Sequence, residues 1–477
     1  MSNFEVIIGI ENHIELKSKT KAFSPAVVSF GEQPNTCVNE RDLGLPGILP
    51  SPNKECVAFS ILACNALNMK IDPLLRFDRK NYYYSDLPKG YQITQQFFPL
   101  GSEGYLEINI NDQNKKIEIE RLHMEEDTAK QIHDQITKID YNRSGIALIE
   151  VVSKPQIRSA NEAVAYVSRL REILLFLDIS DLKMNEGSLR CDINISLRPI
   201  GFKGFGTKVE IKNLNSLSNI KKAIEFEINR QKKLLLMNKK ILQETKRFNE
   251  TTQETQTIRV KADADDYKYF PEPNIVPIKL DKKWIDKIVN NSPETYDKKK
   301  EIYSKNYKLG NDDINYILHD ISLVKFYEKC IMLGADPLRS ANLIINDIKD
   351  LLNKATIDID KSNLNPEDIV YVQKLLISGK ISSKHLKLIL QNKFETNKNI
   401  DEIINENNYV IISSKFEIES LLKPILSEQK DFIKKEYVSR PQRVEKQIMG
   451  MLMKVSGGNV NPEVAMVIIT KKIQQIM

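Results

Sequence analysis

Apolar and polar residues alternate near the start of the chain, in the segment FEVIIGIENHIEL (residues 4–16). Alternation with a period of two predicts a β-strand, because successive side chains of a strand point to opposite faces of the sheet. In such a strand, Glu11, His13 and Glu15 share one face. The pattern therefore predicts that two carboxylates flank one of the five histidines of the chain.

Further alternating segments predict two β-hairpins. SEGYLEINI and KKIEIERLH flank the polar turn NDQN, and LRCDINISLRP and TKVEIKN flank the glycine-containing turn IGFKGFG. Turn-forming residues between two alternating segments are typical of a hairpin. In the first arm of the second hairpin, the apolar residues from Leu189 to Leu197 fall on one face. The polar residues from Arg190 to Arg198 fall on the other.

Apolar residues recur at helical spacing in residues 159–179 and 215–240. Ser159 followed by Glu162 predicts a capping box at the start of the first of these helices. The hairpins and helices together predict an α+β fold, in which an antiparallel sheet forms a cradle with helices packed against it.

The patterns change at two places and predict three domains. The cradle covers residues 1–290 and ends near the proline-rich segment YFPEPNIVPIKL, residues 291–406 form an all-α domain, and residues 407–477 form a small all-α tail. The tail has 11 basic and 7 acidic residues, a net charge of +4. That charge fits either contact with an RNA backbone or an ordinary solvated helical surface.

Composition narrows the class of protein. The chain has 477 residues, of which 41% are hydrophobic and 28% charged, as is typical of soluble globular proteins. We find no apolar run of about 18 residues and no signal-peptide pattern, so we expect a cytoplasmic protein. Five scattered cysteines without a C-x-x-C pair argue against a disulfide framework, and a net charge of +6 argues against a strongly basic nucleic-acid coat protein.

The segment FDRKNYYYSDLPKGYQITQ (residues 77–95) is unusually rich in charged and aromatic residues. Its candidate binding residues are Asp78, Arg79, Lys80, Tyr82, Asp86, Lys89 and Gln92. Cations beside aromatic rings suit a surface that binds phosphates or RNA bases. A structured loop whose charges pair with one another is the alternative.

Acidic residues also cluster in RLHMEEDTAK (residues 121–130), and Glu150 stands alone in the apolar run GIALIEVV. Burial of an unpaired carboxylate is costly unless it finds a cation. A divalent ion removes this cost, and Mg²⁺ prefers carboxylate ligands beside substrate phosphates. The candidate ligands are Glu11, His13, Glu126 and Glu150. Salt bridges from each residue to an arginine explain the same pattern equally well.

Common catalytic motifs are absent from the sequence. GFKGFGTK resembles a P-loop in its glycine spacing, but Thr207 stands where the lysine belongs. We find no G-x-S-x-G, H-E-x-x-H or H-R-D motif. Any nucleotide is therefore bound by another kind of scaffold.

Six segments, in order, resemble the B subunits of the aspartyl/glutamyl-tRNA amidotransferases: GIENHIEL, FDRKNYYYSDLPKGYQI, RLHMEEDTAK, NEGSLRCDINISLR, KVEIKNLNS and DYKYFPEPNI. The resemblance runs from residue 4 to about residue 280 and continues more weakly to the C-terminus. It implies a carbon–nitrogen ligase that uses glutamine as the amido-nitrogen donor. The family converts Glu-tRNA(Gln) to Gln-tRNA(Gln) and Asp-tRNA(Asn) to Asn-tRNA(Asn).

The resemblance also implies a mechanism and partners. Members of the family activate the side-chain carboxylate with ATP and Mg²⁺ as an acyl phosphate, and ammonia from a separate amidase chain displaces the phosphate. The amidase and a third, small chain form a heterotrimer with the B chain, whose C-terminal tail contacts the tRNA. A non-catalytic tRNA-binding or assembly protein is the main alternative, and a metal-dependent phosphohydrolase is a third.

The family's metal site corresponds to His13, Glu126 and Glu150, with Glu11 near enough to serve the same ion or a second one. The resemblance assigns Lys80, Lys89, Ser188, Arg190 and Asp192 to nucleotide or aminoacyl-end binding. Further residues expected to line the site are Asp78, Arg79, Tyr82, Asp86, Gln92, Glu125 and Lys212.

The sequence departs from the family at three places. Many members carry a four-cysteine zinc knuckle early in the cradle, but this chain keeps only Cys37 there, so we expect no zinc. Lys154 and Gln156 stand where members usually have Glu and Asp, which changes the charge close to Glu150. Asn12 replaces an apolar residue between Glu11 and His13, and strand alternation points it to the opposite face.

Overall fold

The computed structural model describes residues 4–111, 113–133, 136–212, 214–260 and 267–477. Asp112 of the turn NDQN, and Asn213 and Asp266 of two family motifs, lie outside the described residues. The chain divides into two compact units, Met1–Lys298 and Lys299–Met477. The domain boundaries after residues 290 and 406 stay predictions.

The strands belong to the first unit. In chain order they are β1 (Phe4–Glu15), β2 (Lys70–Ile71), β3 (Leu74–Leu75), β4 (Asp78–Asn81), β5 (Tyr91–Thr94), β6 (Gly101–Ile110), β7 (Gln113–Glu126), β8 (Lys130–His133), β9 (Thr137–Asp140), β10 (Ala147–Ser153), β11 (Leu189–Pro199), β12 (Val209–Lys212), β13 (Glu244–Asn249), β14 (Glu254–Val260), β15 (Phe270–Pro271) and β16 (Ile278–Lys279).

One large sheet dominates this unit. Among the described residues it has nine strands in the order β14-β13-β12-β11-β1-β10-β7-β6-β2. Each neighbouring pair is antiparallel except β12–β13, which is parallel. Both predicted hairpins are present, as β6–β7 and β11–β12. Gly201, in the second turn, has a φ of +86°, a conformation that favours glycine. The predicted α+β fold is confirmed.

The period of two in β1 decides which side chains enter the core. Ile8, Ile10, Ile14 and Leu16 are buried on one face, whereas His13 on the other face is only partly buried. Burial of each such aliphatic side chain contributes about 1.5–3 kcal/mol. The hydrophobic face fixes the register of β1 and therefore fixes where the polar face presents its charges.

The first unit also contains α1 (Glu40–Leu43), α2 (Lys54–Ala66), α3 (Ala160–Phe176), α4 (Leu217–Leu236) and α5 (Lys282–Asn290). Helix α3 packs against β6 and α4, and α4 packs against β11. Ser159 caps α3 by accepting a hydrogen bond from the backbone N–H of Glu162. The predicted capping box is incomplete, because the Glu162 carboxylate accepts from the N–H of Arg158, one residue before the cap.

Further helices follow α5. They are α6 (Tyr296–Lys305), which spans the division between the units, α7 (Asn311–Leu318), α8 (Ile321–Met332), α9 (Pro337–Leu343), α10 (Lys349–Ala355), α11 (Pro366–Ile377), α12 (Ser383–Glu395), α13 (Ile400–Asn407), α14 (Lys415–Glu428), α15 (Lys430–Glu436), α16 (Pro441–Val455) and α17 (Pro462–Gln474). A π-helical turn (Ile344–Ile348) joins α9 to α10, and a 3₁₀ turn (Ile359–Lys361) precedes α11.

Helices α14 to α17 enclose a hydrophobic cluster whose buried residues run from Ile418 to Ile473. The four helices therefore share one core within the second unit. In the part of the chain that the structure describes, no helix is both long enough and apolar enough to cross a membrane.

Candidate functional site

Polar side chains from four adjacent strands form a row across the large sheet. In register, Arg190 on β11 is opposite His13 on β1, His13 is opposite Glu150 on β10, and Glu150 is opposite His123 on β7. Residues opposite one another in a sheet share a face and lie about 5 Å apart. The row is the direct result of strand alternation and register.

Three side chains of this face converge on one point. The His13 Nε2 atom lies 3.6 Å from a carboxylate oxygen of Glu125 and 3.6 Å from one of Glu150. One ligand atom from each of the three residues lies within 4.8 Å of the others. Both carboxylates are buried, whereas the His13 side chain is 22% exposed. We call His13, Glu125 and Glu150 the histidine–carboxylate group.

His123 contacts the same two carboxylates, and it approaches Glu150 from β7, on the side of β10 away from His13. Its Nε2 lies 3.0 Å from Glu150 and 3.7 Å from Glu125. Burial lowers the pKa of His123, but the two carboxylates raise it more, to about 9. Burial raises the pKa of Glu150, but His123 and His13 outweigh burial and hold that pKa below its usual range. Glu150 is therefore ionised in its buried position.

Glu126, a candidate ligand from the sequence, lies in other surroundings. Its carboxylate pairs with the ammonium group of Lys89 and accepts a hydrogen bond of 2.9 Å from the N–H of Ile93. The side chain of Gln92 donates to its backbone carbonyl. Because Glu125 and Glu126 are neighbours in a strand, only one of them can face His13, and the structure brings Glu125 there.

Glu11 belongs to a second group on the same face, with Asp192 and Glu210, and ligand atoms of these three residues lie within 4.8 Å of one another. The Lys212 ammonium lies 2.7 Å from Asp192 and 3.2 Å from Glu210. Burial, and then the charges of Glu150 and Asp192, raise the pKa of Glu11. We call Glu11, Asp192 and Glu210 the lysine-paired group.

Lys80 lies near the histidine–carboxylate group within a set of aromatic rings. Its ammonium is 4.8 Å from the centre of the Tyr267 ring and 5.7 Å from that of Tyr82. Burial lowers the pKa of Lys80, but nearby charges, Glu125 first, raise it above its ordinary value. Burial, followed by the charge of Glu125, raises the pKa of Tyr82. This ammonium group therefore stays charged beside the carboxylates.

Other candidates of residues 77–95 have structural partners. Arg79 forms a bidentate pair with Glu272 at 2.6 and 3.1 Å and stacks 3.9 Å from the centre of the Tyr91 ring. Buried Asp78 accepts a hydrogen bond from the N–H of Phe97. Asp86 accepts from the hydroxyl group of Thr128 at 3.3 Å.

The remaining candidates, Arg190 on β11 and Ser188 just before it, also have partners. Arg190 forms a 2.6 Å pair with Asp127, which raises the pKa of Arg190 although burial opposes the shift. The Ser188 hydroxyl donates to Asp181 and accepts a 2.8 Å hydrogen bond from the N–H of Lys183. A cavity of about 260 Å³ opens between the two groups, and its lining includes His13, Arg190, Asp192, Lys212 and Asn215.

Comparisons with known proteins identify the family of this chain. Residues 6–286 match the family model described as the GatB/GatE catalytic domain, and residues 325–473 match the model described as the GatB domain. The chain belongs to the GatB family. The resemblance inferred from the six sequence motifs is thereby confirmed.

Curated GatB relatives align over their full length. The protein of Mesoplasma florum is 54% identical over 99% of each chain, and that of Mycoplasma mycoides is 53% identical over 100% of each. The protein of Macrococcus caseolyticus is 41% identical over 99% of this chain and 100% of its own. All three are named as the B subunit of an aspartyl/glutamyl-tRNA(Asn/Gln) amidotransferase.

Two departures of this GatB chain from the family pattern lie away from the ligand groups. Lys154 forms a 2.9 Å pair with Glu118, and Gln156 contacts the same carboxylate. Asn12 is completely buried, and neither of its side-chain polar atoms has a hydrogen-bond partner among the described residues. The positive charge of Lys154, which is close to Glu150 in sequence, is thus neutralised by Glu118.

The sequence assigned no role to three residues that the structure brings to this face of the GatB sheet: His123, Asp127 and Glu210. A signal for His123 was available, because it and Glu125 are two residues apart in one strand and must share a face. No such signal exists for Asp127 and Glu210. Their positions depend on which strands pair, and that pairing cannot be read from spacing alone.

Proposed function

We propose that this chain is the B subunit of a glutamine-dependent tRNA amidotransferase and that its first unit carries the kinase step. The substrates are ATP and the side-chain carboxylate of Glu-tRNA(Gln) or Asp-tRNA(Asn). An oxygen of that carboxylate attacks the γ-phosphorus, the bond to ADP breaks, and an acyl phosphate forms. Ammonia then attacks the acyl carbon, and inorganic phosphate leaves with the pair of electrons of the broken bond.

The histidine–carboxylate group carries this proposal. Its donor set of two carboxylate oxygens and one imidazole nitrogen within 4.8 Å fits a divalent cation such as Mg²⁺. Two buried like charges that face one another are costly, and a cation offsets that cost. A bound divalent ion supplies positive charge that neutralises phosphate oxygens during phosphoryl transfer. His13, Glu125 and Glu150 are the residues that would hold it.

The residues around this group suit the same chemistry. The charged Lys80 and Arg190 lie near the carboxylates and are suited to bind phosphate oxygens of the nucleotide. The aromatic rings of Tyr82 and Tyr267 lie beside Lys80 and are suited to exclude water from the reacting atoms. Exclusion of water protects an acyl phosphate from hydrolysis.

The names of the relatives include the word subunit, which supports a multi-subunit complex, and we propose the partners that the family resemblance implies. An amidase, the A chain of the complex, supplies ammonia, and a small C chain completes a heterotrimer that acts in translation in the cytoplasm. We propose that the tail (residues 407–477), with its net charge of +4, contacts the tRNA. Replacement of exposed Lys434, Lys435 and Arg443 by Gln should then reduce the salt dependence of tRNA binding. An unchanged salt dependence would contradict this contact.

The kinase proposal is tested by the formation of ADP in the reconstituted complex. We expect mischarged tRNA to stimulate ATP turnover and uncharged tRNA not to do so. Glu150→Ala should abolish the stimulation, whereas Glu118→Ala, which removes a half-exposed carboxylate paired with Lys154, should leave it intact. Equal turnover with charged and uncharged tRNA would refute the proposal and favour a phosphohydrolase, and absence of turnover would favour a tRNA-binding or assembly protein. Full activity of Glu150→Ala would refute the proposed role of Glu150.

A further inference from the structure

We propose that His123 is a positioning residue, whose imidazole holds the Glu125 and Glu150 carboxylates in the arrangement that binds a divalent cation. The inference rests on the proposed function, because that function requires the two carboxylates to hold the ion. It adds a residue to which neither the sequence analysis nor the proposed mechanism gave a role.

The two histidines differ in their access to the site. His13 and His123 approach Glu150 from opposite sides, because β1 and β7 flank β10. The His13 side chain is 22% exposed and lines the cavity, whereas the His123 side chain is 5% exposed. His13 is therefore open to a ligand, whereas His123 is closed off from solvent.

The contacts of His123 are directed at the carboxylates alone. Its Nε2 lies 3.0 Å from Glu150 Oε2 and 3.7 Å from Glu125 Oε2. Its Nδ1 is buried without a hydrogen-bond partner among the described residues. Leaving such a group unpaired is unfavourable. The ring therefore contacts the carboxylates through Nε2, whereas its Nδ1 stays without a hydrogen-bond partner.

Another buried histidine, His385, has contacts typical of a structural role. His385 in α12 contacts Asn459 through Nε2 at 2.8 Å and the N–H of Ser382 through Nδ1 at 3.5 Å. Both of its nitrogens have partners, and no carboxylate is paired with it among the ion pairs of the described residues. His385 therefore serves as a matched control for burial and residue type.

A donor behind a ligand carboxylate fixes the orientation of that carboxylate. Without the Nε2 contact, the like-charged Glu125 and Glu150 can turn away from one another. Loss of such a supporting hydrogen bond typically weakens metal affinity by about 10- to 100-fold. The effect acts on binding of the ion and needs no contact between His123 and the ion.

The experiment measures binding of Mn²⁺ alone to the full-length chain by electron paramagnetic resonance. His123→Gln places an amide N–H close to the position of Nε2, and His123→Asn places one close to Nδ1 instead. We expect His123→Asn to weaken Mn²⁺ binding about 10- to 100-fold and His123→Gln to restore most of it. His385→Asn should lower thermal stability without a change in affinity.

Spin-echo modulation from nitrogen distinguishes a supporting residue from a ligand. We expect one imidazole nitrogen, that of His13, in both the wild type and His123→Gln. A second coordinated nitrogen that is lost in His123→Gln would overturn the inference, as would wild-type affinity in a folded His123→Asn. Absence of Mn²⁺ binding to the wild type would overturn the proposed metal site as well, whereas wild-type binding with unaffected variants would overturn this inference alone.

Discussion

Two acidic groups lie on the same face of the large sheet, but they are neutralised in different ways. In the lysine-paired group, the Lys212 ammonium lies 2.7 and 3.2 Å from Asp192 and Glu210. In the histidine–carboxylate group, imidazoles contact Glu125 and Glu150. Among the described residues, no Lys or Arg nitrogen lies within 4.0 Å of those two carboxylates.

The difference matters because a covalently attached ammonium and a diffusible cation compete for the same carboxylates. Lys212 already supplies a full positive charge to its group, and Asn194 donates a 2.8 Å hydrogen bond to Glu11. In the histidine–carboxylate group, the positive charge in direct contact is that of the His123 imidazole, whose pKa is raised to about 9, and the group has no lysine or arginine partner among the described residues. A group of acidic residues therefore indicates a metal site only where lysine or arginine side chains of the protein do not already neutralise it.

The largest expected effect is a difference in ATP turnover between variants of Glu125 and variants of Glu126. Glu125→Gln removes a ligand charge from the histidine–carboxylate group, so tRNA-stimulated ATP turnover should fall about 10³-fold. Glu126→Gln removes the partner of Lys89, whose side chain is only 6% exposed, and should cost about 3 kcal/mol of stability. ADP formation and thermal unfolding of both variants measure the two effects.

Glu118→Gln is the control for both variants, because Glu118 is half-exposed and lies outside the two groups. It should change neither turnover nor stability. If Glu126→Gln lost turnover while it kept its stability, and Glu125→Gln stayed active, the ligand assignment from the sequence would be right and that from the structure wrong.

A second pair of variants tests how the two groups are neutralised. Lys80→Met should reduce ATP turnover about 10²-fold with little loss of stability, because Lys80 faces the histidine–carboxylate group without a direct ion pair among the described residues. Lys212→Met leaves the carboxylates of Asp192 and Glu210 without their ammonium partner. Since the Lys212 side chain is 39% exposed, we expect the loss of stability to be only about 1–2 kcal/mol.

Chemical denaturation and ADP formation, measured on both variants, separate these effects. Lys203→Met, in the exposed turn between β11 and β12, is the control. A larger loss of stability in Lys80→Met than in Lys212→Met would contradict the comparison. It would mean that Lys80 neutralises its carboxylates structurally and that Lys212 does not.

The sequence predicted the fold better than it predicted the candidate site. Period-two patterns located β1, β6, β7, β11 and β12, because each strand has one apolar face. The same rule applied to β7 would have placed His123 and Glu125, rather than Glu126, beside Glu150. The lysine-paired group depends on the pairing of β1 with β11 and of β11 with β12, and such long-range pairing leaves no local pattern.

The smallest expected effect is that of a substitution at Asn12. This substitution tests whether the core face of β1 acts independently of its ligand face. Asn12 lies between Glu11 and His13 in sequence but points into the core, where it is completely buried opposite Cys191. Among the described residues, its side-chain amide has only a weak contact with the Cys191 thiol, and such a poorly satisfied buried group costs about 1–3 kcal/mol. Asn12→Leu, of similar size, should therefore stabilise the protein by about 1 kcal/mol, as measured by chemical denaturation.

The same variant should leave ATP turnover and Mn²⁺ affinity unchanged, because the two ligand groups occupy the opposite face of β1. Ile10→Leu, at the neighbouring core position, is the control for repacking and should change stability by less than about 1.5 kcal/mol. A loss of stability in Asn12→Leu would show that a buried water or another polar partner satisfies Asn12. A change in Mn²⁺ affinity would show that the core face and the ligand face of this strand are coupled, so that the position of His13 depends on what packs behind it.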